Sequence, residues 1–70
     1  MKYSFKVYDE FLRELFSAVL LRACITNDWA RFELADGSCF YAPEKPVSFS
    51  SEAGKTVIHF SVLSIVIRPL

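Results

Sequence analysis

The stretch that most constrains the fold is the run Thr56-Val57-Ile58-His59-Phe60-Ser61-Val62-Leu63-Ser64-Ile65-Val66-Ile67. It is apolar and β-branched, the composition of a strand covered on both faces. Extended at ~3.3 Å per residue it would reach ~40 Å, too long for one straight strand in so small a chain. The apolar pattern indicates where it breaks. Ile58, Phe60 and Val62 share one parity, and Leu63, Ile65 and Ile67 share the other. A period-two pattern that changes phase predicts an extra residue, hence a β-bulge or sharp bend between Ser61 and Ser64. Two strand arms should meet at that corner.

Upstream, Lys2 to Tyr8 alternates, with Tyr3, Phe5 and Val7 opposite Ser4 and Lys6, as in a half-buried strand. Asp9 has the chemistry of an N-cap, and Glu10 and Glu14 suit the positive end of a helix. From Glu10 to about Ala23, the positions Leu12, Leu15, Phe16, Val19, Leu20 and Ala23 follow the i, i+3, i+4, i+7 spacing of an amphipathic helix. Leu15, Phe16 and Val19 are expected to anchor it against the face carrying Phe60. Phe11, Ala18 and Leu21 widen the apolar arc beyond one core contact.

Thr26-Asn27-Asp28 is turn chemistry. Trp29 to Ala35 alternates, Asp36-Gly37 is a hairpin signal, and Ser38 to Ala42 resumes an extended pattern. Pro43 and Pro46 should take the chain off the ladder or along a sheet edge. Val47 to Ser50 is a short strand, and Ser51 to Gly54 a turn into the final run. The predicted fold is a single α+β domain spanning residues 1–70. One amphipathic helix packs on a strongly curved antiparallel sheet of four to five strands, which could roll into a small barrel.

Hydrophobic residues make up 53% of the chain and eleven residues are aromatic (seven Phe, three Tyr, one Trp). In a small domain part of that apolar content must lie at the surface, and exposed apolar area marks a contact. Eight basic and eight acidic residues give zero net charge, with the cations spread evenly. That argues against a nucleic-acid binder without closing the question. Cys24 and Cys39 form no Cys-x-x-Cys pair and fit neither a disulfide scaffold nor a zinc site. No convincing signal peptide or membrane span stands out, and a cytoplasmic location is expected.

No catalytic, metal or cofactor motif emerges. His59 is the lone histidine, with no carboxylate or nucleophile at motif spacing. Gly54-Lys55-Thr56 matches the end of a phosphate-binding loop, but Phe49 stands where the first glycine belongs and a strand follows instead of a helix. Tyr8, Trp29 and Tyr41 could form an aromatic platform of the kind that stacks on bases, although half-buried edge or interface positions suit them better.

The leading helix, the strand ending Leu34-Ala35-Asp36-Gly37 and the closing His59-Phe60-Ser61-Val62-Leu63-Ser64-Ile65-Val66 loosely resemble the Sm-like RNA-binding small barrels. The likeness spans about half the chain and implies a ring-forming oligomer that binds single-stranded RNA. The chain departs from that pattern at Pro43 and Pro46, where the family runs a long bent strand. It departs again at Val57-Ile58, where the family carries Tyr-Lys.

The expected function is therefore a small non-enzymatic protein–protein interaction module, an adaptor, inhibitor or regulatory subunit, and homo-oligomeric. The alternative is a single-stranded nucleic-acid-binding small β-barrel of loosely Sm-like type. The expected interface residues are Phe11, Leu21, Trp29, Tyr41, Val62, Ile65 and Ile67, and the C-terminal run is the expected pairing edge because it carries no charge between Lys55 and Arg68.

Overall fold

A computed structural model describes residues 2–42 and 44–70. Pro43, expected to blunt a sheet edge, lies outside the described residues. Seven strands follow one another: β1 (Tyr3–Asp9), β2 (Glu14–Ile25), β3 (Ala30–Leu34), β4 (Cys39–Ala42), β5 (Ser48–Glu52), β6 (Lys55–His59) and β7 (Leu63–Pro69). They form one antiparallel sheet in the order β4-β3-β2-β1-β7-β6-β5. The fold is all-β, which corrects the α+β expectation.

The expected helix is β2. Its core-facing residues are Phe16, opposite Val7, Ala18, opposite Phe5, and Leu20, opposite Leu34. The register then shifts at Leu21, so Ala23 and Ile25 face Phe32 and Ala30. A second shift, at Leu15, falls between the pairs Val7↔Phe16 and Tyr8↔Glu14. Each added residue moves the period-two pattern by one, and the result imitates helical spacing. Good helix formers fill the segment, but propensity is a weak prior beside a sheet that needs this strand between β1 and β3. Leu15 is therefore 59% exposed and Val19 turns outward, while Phe60 is buried in the turn between β6 and β7.

The C-terminal run does break near the expected point, but as a reversal. β6 and β7 pair antiparallel, and Phe60 donates its N–H to Leu63 O at 2.8 Å across the turn. This run is not an edge. β7 lies between β1 and β6, and the edges are β4 and β5.

Six inter-strand steps of ~4.8 Å would make a flat sheet ~29 Å across, whereas the chain from Ala42 to Ser48 can span only ~20 Å. The sheet must curl, and the Cα extents of 27 × 25 × 20 Å agree. Curling gives the molecule an inner face. Phe5, Val7, Leu20, Ala30, Phe32, Leu34, Ala42, Ile58, Phe60 and Ile65 are buried there, and no polar side chain joins them among the described residues. Phe5 is the centre, with ring centroids of Phe32, Phe40 and Phe16 at 5.0, 5.6 and 6.2 Å. The sheet stays open between β4 and β5, and Phe49, on the inner parity of β5, remains 57% exposed.

Candidate functional site

Two surfaces combine unusual chemistry with defined geometry. The first is one end of the sheet. Asp9 ends β1, and its side chain organises the reversal into β2: Oδ1 accepts the N–H groups of Phe11 and Arg13, each at 2.9 Å, and Oδ2 accepts Arg13 Nε at 2.7 Å. These donors, the Arg13 N–H first among them, hold the Asp9 carboxyl below its ordinary value. The turn forces Leu12 into a left-handed conformation (φ 63°), which is uncommon for a side chain of that size. The outcome is a tip that offers Phe11 and Leu12 to solvent, 70% and 78% exposed, with the Arg13 guanidinium 5.3 Å from the Phe11 ring centroid.

Register extends this end. Asp9 pairs with Leu63, so the β6–β7 turn carrying Val62 lies beside the tip. Val47 donates to His59 O at 2.7 Å, which brings the β4–β5 connection to the same end. Leu15, Val47 and Val62 are all more than half exposed. Of the residues expected at an interface, Phe11 and Val62 belong to this end. Leu21 is the bulge residue of β2, Trp29 sits in the β2–β3 turn and Tyr41 faces outward on β4, so these three lie on the other half of the sheet. Ile65 is a core residue with no exposed surface, and Ile67 packs against the core; neither adds to a free face. Leu12, Leu15 and Val47 were not anticipated, because a helical reading hid the first two and the third looked like the start of a strand.

The second surface is the outward face of the sheet. Lys6, Arg22, Arg31, Lys55 and Arg68 all take outward parity, each next in sequence to a core-facing residue or in register with an outward one. Four of the eight acids, Glu10, Asp28, Asp36 and Glu44, lie in turns and connections, and the last two accept hydrogen bonds there. Asp36 accepts the N–H and hydroxyl of Ser38, and Glu44 accepts those of Ser61; the hydroxyl hydrogen bonds are the leading reason that both carboxyls lie below their ordinary values. The outward face of this chain of zero net charge thus sets these five cations against three acids, Glu14, Glu33 and Glu52. Single-residue spacing could not reveal that; strand parity could.

On β2 and β3, Arg22 grips Glu33 with two hydrogen bonds of 3.0 Å, and Arg31 Nη2 reaches the same carboxylate at 2.8 Å. Arg22 is the first cause of the lowered Glu33 pKa. On β1, Lys6 pairs with Glu14 at 3.2 Å. Across β6 and β7, Lys55 and Arg68 have no carboxylate partner among the described residues. His59 Nδ1 lies 3.3 Å from Ser64 Oγ on the same face.

Among the described residues, no group of three or more His, Cys, Asp or Glu side chains is placed to hold a metal ion, and no helix is long and apolar enough to cross a membrane. Comparison with protein-family models, with curated proteins and with solved structures finds nothing that matches this chain.

Proposed function

We propose that the protein is a small non-enzymatic protein–protein interaction module that associates with a second copy of itself through its apolar end. The observation that carries this reading is the exposed set Phe11, Leu12, Leu15, Val47 and Val62, contributed by three neighbouring chain segments at one end of the sheet. Clustered apolar exposure is the ordinary mark of a contact surface. The tip is also pre-organised: the Asp9 hydrogen bonds fix it before any partner arrives, which lowers the entropy cost of docking. Zero net charge leaves no long-range repulsion between copies. The non-enzymatic part of the reading is supported by His59, whose side-chain partner among the described residues is Ser64 and not a carboxylate. Cys24 and Cys39, both exposed and unpaired, suit a reducing, cytoplasmic setting.

Light scattering over a concentration series tests the proposal. The parent chain should show a mass above that of the monomer, and Phe11→Asp with Leu12→Asp should return it to the monomer while the melting transition is kept. A monomeric mass at every concentration, or an oligomer indifferent to the double substitution, would overturn it.

A further inference from the structure

The outward side of β1, β7 and β6 holds a shallow groove of about 330 Å³, lined by Tyr8, Leu12, Lys55, Val57, His59 and Arg68 among others. Register orders it into rows. The pair Thr56↔Ile67 sets Lys55 opposite Arg68 one step further along, and Arg68 in turn faces Ser4. The next row is Val57, Val66 and Lys6, and the third is His59, Ser64 and Tyr8.

Like charges directly opposite on adjacent strands destabilise a sheet. Here both cations lack a salt bridge among the described residues, although Glu52 stands opposite Lys55 on β5. Lys6, the other cation of this face, is already held by Glu14. An anion seated between Lys55 and Arg68 would remove the repulsion, and a guanidinium beside an ammonium suits the several oxygens of a phosphate. The Ser4 hydroxyl adds a donor at that row. The neighbouring row offers an apolar floor, Val57 and Val66, and the third ends in two rings, Tyr8 and His59. Rows of one face lie ~7 Å apart along a strand, a distance comparable with that between a phosphate and the planar group it carries.

We propose that this groove binds a nucleotide, its phosphate between Lys55 and Arg68 and its base over Val57 and Val66 toward Tyr8. The groove has room for one nucleotide unit, at the lower end of small-ligand sites. This site shares Leu12 with the apolar end, but its cations are separate, so the two proposals fail independently.

The full chain is titrated calorimetrically with adenosine 5′-monophosphate and with inorganic phosphate at low salt. The nucleotide should bind more tightly than phosphate, and added salt should weaken it. Arg68→Gln and Lys55→Gln should each weaken it on the order of tenfold. Glu52→Gln should strengthen it by removing the nearest carboxylate in register. A short single-stranded oligonucleotide identifies the source. A large gain over the monomer, lost in the same variants, means a polymer; affinity equal to that of the monomer means a free nucleotide. Absence of binding at low salt, phosphate binding as tightly as the nucleotide, or full affinity in folded Arg68→Gln and Lys55→Gln would each overturn the proposal.

Discussion

Glu44 is tied to Ser61, seventeen residues away, through the Ser61 backbone N–H at 2.7 Å and the Ser61 hydroxyl at 2.7 Å. The contact pins the β4–β5 connection to the β6–β7 turn, the turn that holds buried Phe60. Among the described residues it is the one side-chain hydrogen-bonded tie between that connection and the turn.

This tie predicts a pH signature. The folded-state carboxyls of Glu44, Asp9, Asp36 and Glu33 titrate below their ordinary values, 4.5 for the glutamates and 3.8 for the aspartates. Groups lowered on folding stabilise the native state above those values, and the contribution vanishes as pH falls through the folded pKa. Melting temperature should therefore be flat near neutrality and drop below about pH 4. Glu44→Gln should melt lower than the parent at pH 7 and approach it in acid. Parallel melting curves for the two proteins across that range would refute the assignment.

Phe5 should be the least replaceable side chain. It is fully buried and touches three other aromatic rings. Phe5→Ala should cost about 3–5 kcal/mol, most of what a small domain has in hand. Phe16 is 39% exposed, so Phe16→Ala should cost only about 1–2 kcal/mol. Urea denaturation of both variants ranks the two positions. Equal losses would mean that the core is not centred on Phe5.

The β5–β6 turn carries avoidable strain. Ala53 and Gly54 both have positive φ, 51° and 76°, between Glu52 and Lys55. That is the type I′ hairpin geometry, in which asparagine is favoured at the first position and alanine is not. Ala53→Asn should stabilise the protein by about 0.5–1 kcal/mol, and its melting temperature should rise by several degrees.

Leu12 offers the contrasting case. Leu12→Asn relieves the same kind of strain but deletes the most exposed large apolar side chain of the structure. The variant should melt higher and associate more weakly, as expected where strain is kept for contact. A variant that gains stability without losing mass in light scattering would separate the strain from any role in association.

Much of the sheet was legible in the residues. β4 was expected only as an extended segment, and β5 as Val47 to Ser50, where the strand is Ser48–Glu52. β1 and β3 alternate cleanly beside turn chemistry such as Thr26-Asn27-Asp28 and Asp36-Gly37, so their inward faces could be read directly. β2 could not. Its inward residues run Phe16, Ala18, Leu20, Ala23, Ile25, and the extra residue at Leu21 turns a spacing of two into one that passes for helical. The order of strands was equally hidden, because no local signal says that β7 pairs with β1. The charge pattern followed from that: Lys55 and Arg68 are thirteen positions apart and become neighbours only once β6 folds back on β7.

The pairing of β1 with β7, from Tyr3 opposite Pro69 to Asp9 opposite Leu63, also governs how the chain can fold. β1 to β4 form successive hairpins, and so do β5 to β7, each needing only short loop closures. The ladder at the middle of the sheet joins residues nearly the whole chain apart. Such contacts form slowly, because the closure entropy is lost before they repay it. Folding should then be two fast local events and one slow zipping step, with Phe5 sealed from water only when Ile65 and Ile67 arrive beside it. Until then β1 presents an open edge, and the same strand that centres the native core is the one most exposed to pairing with the wrong neighbour.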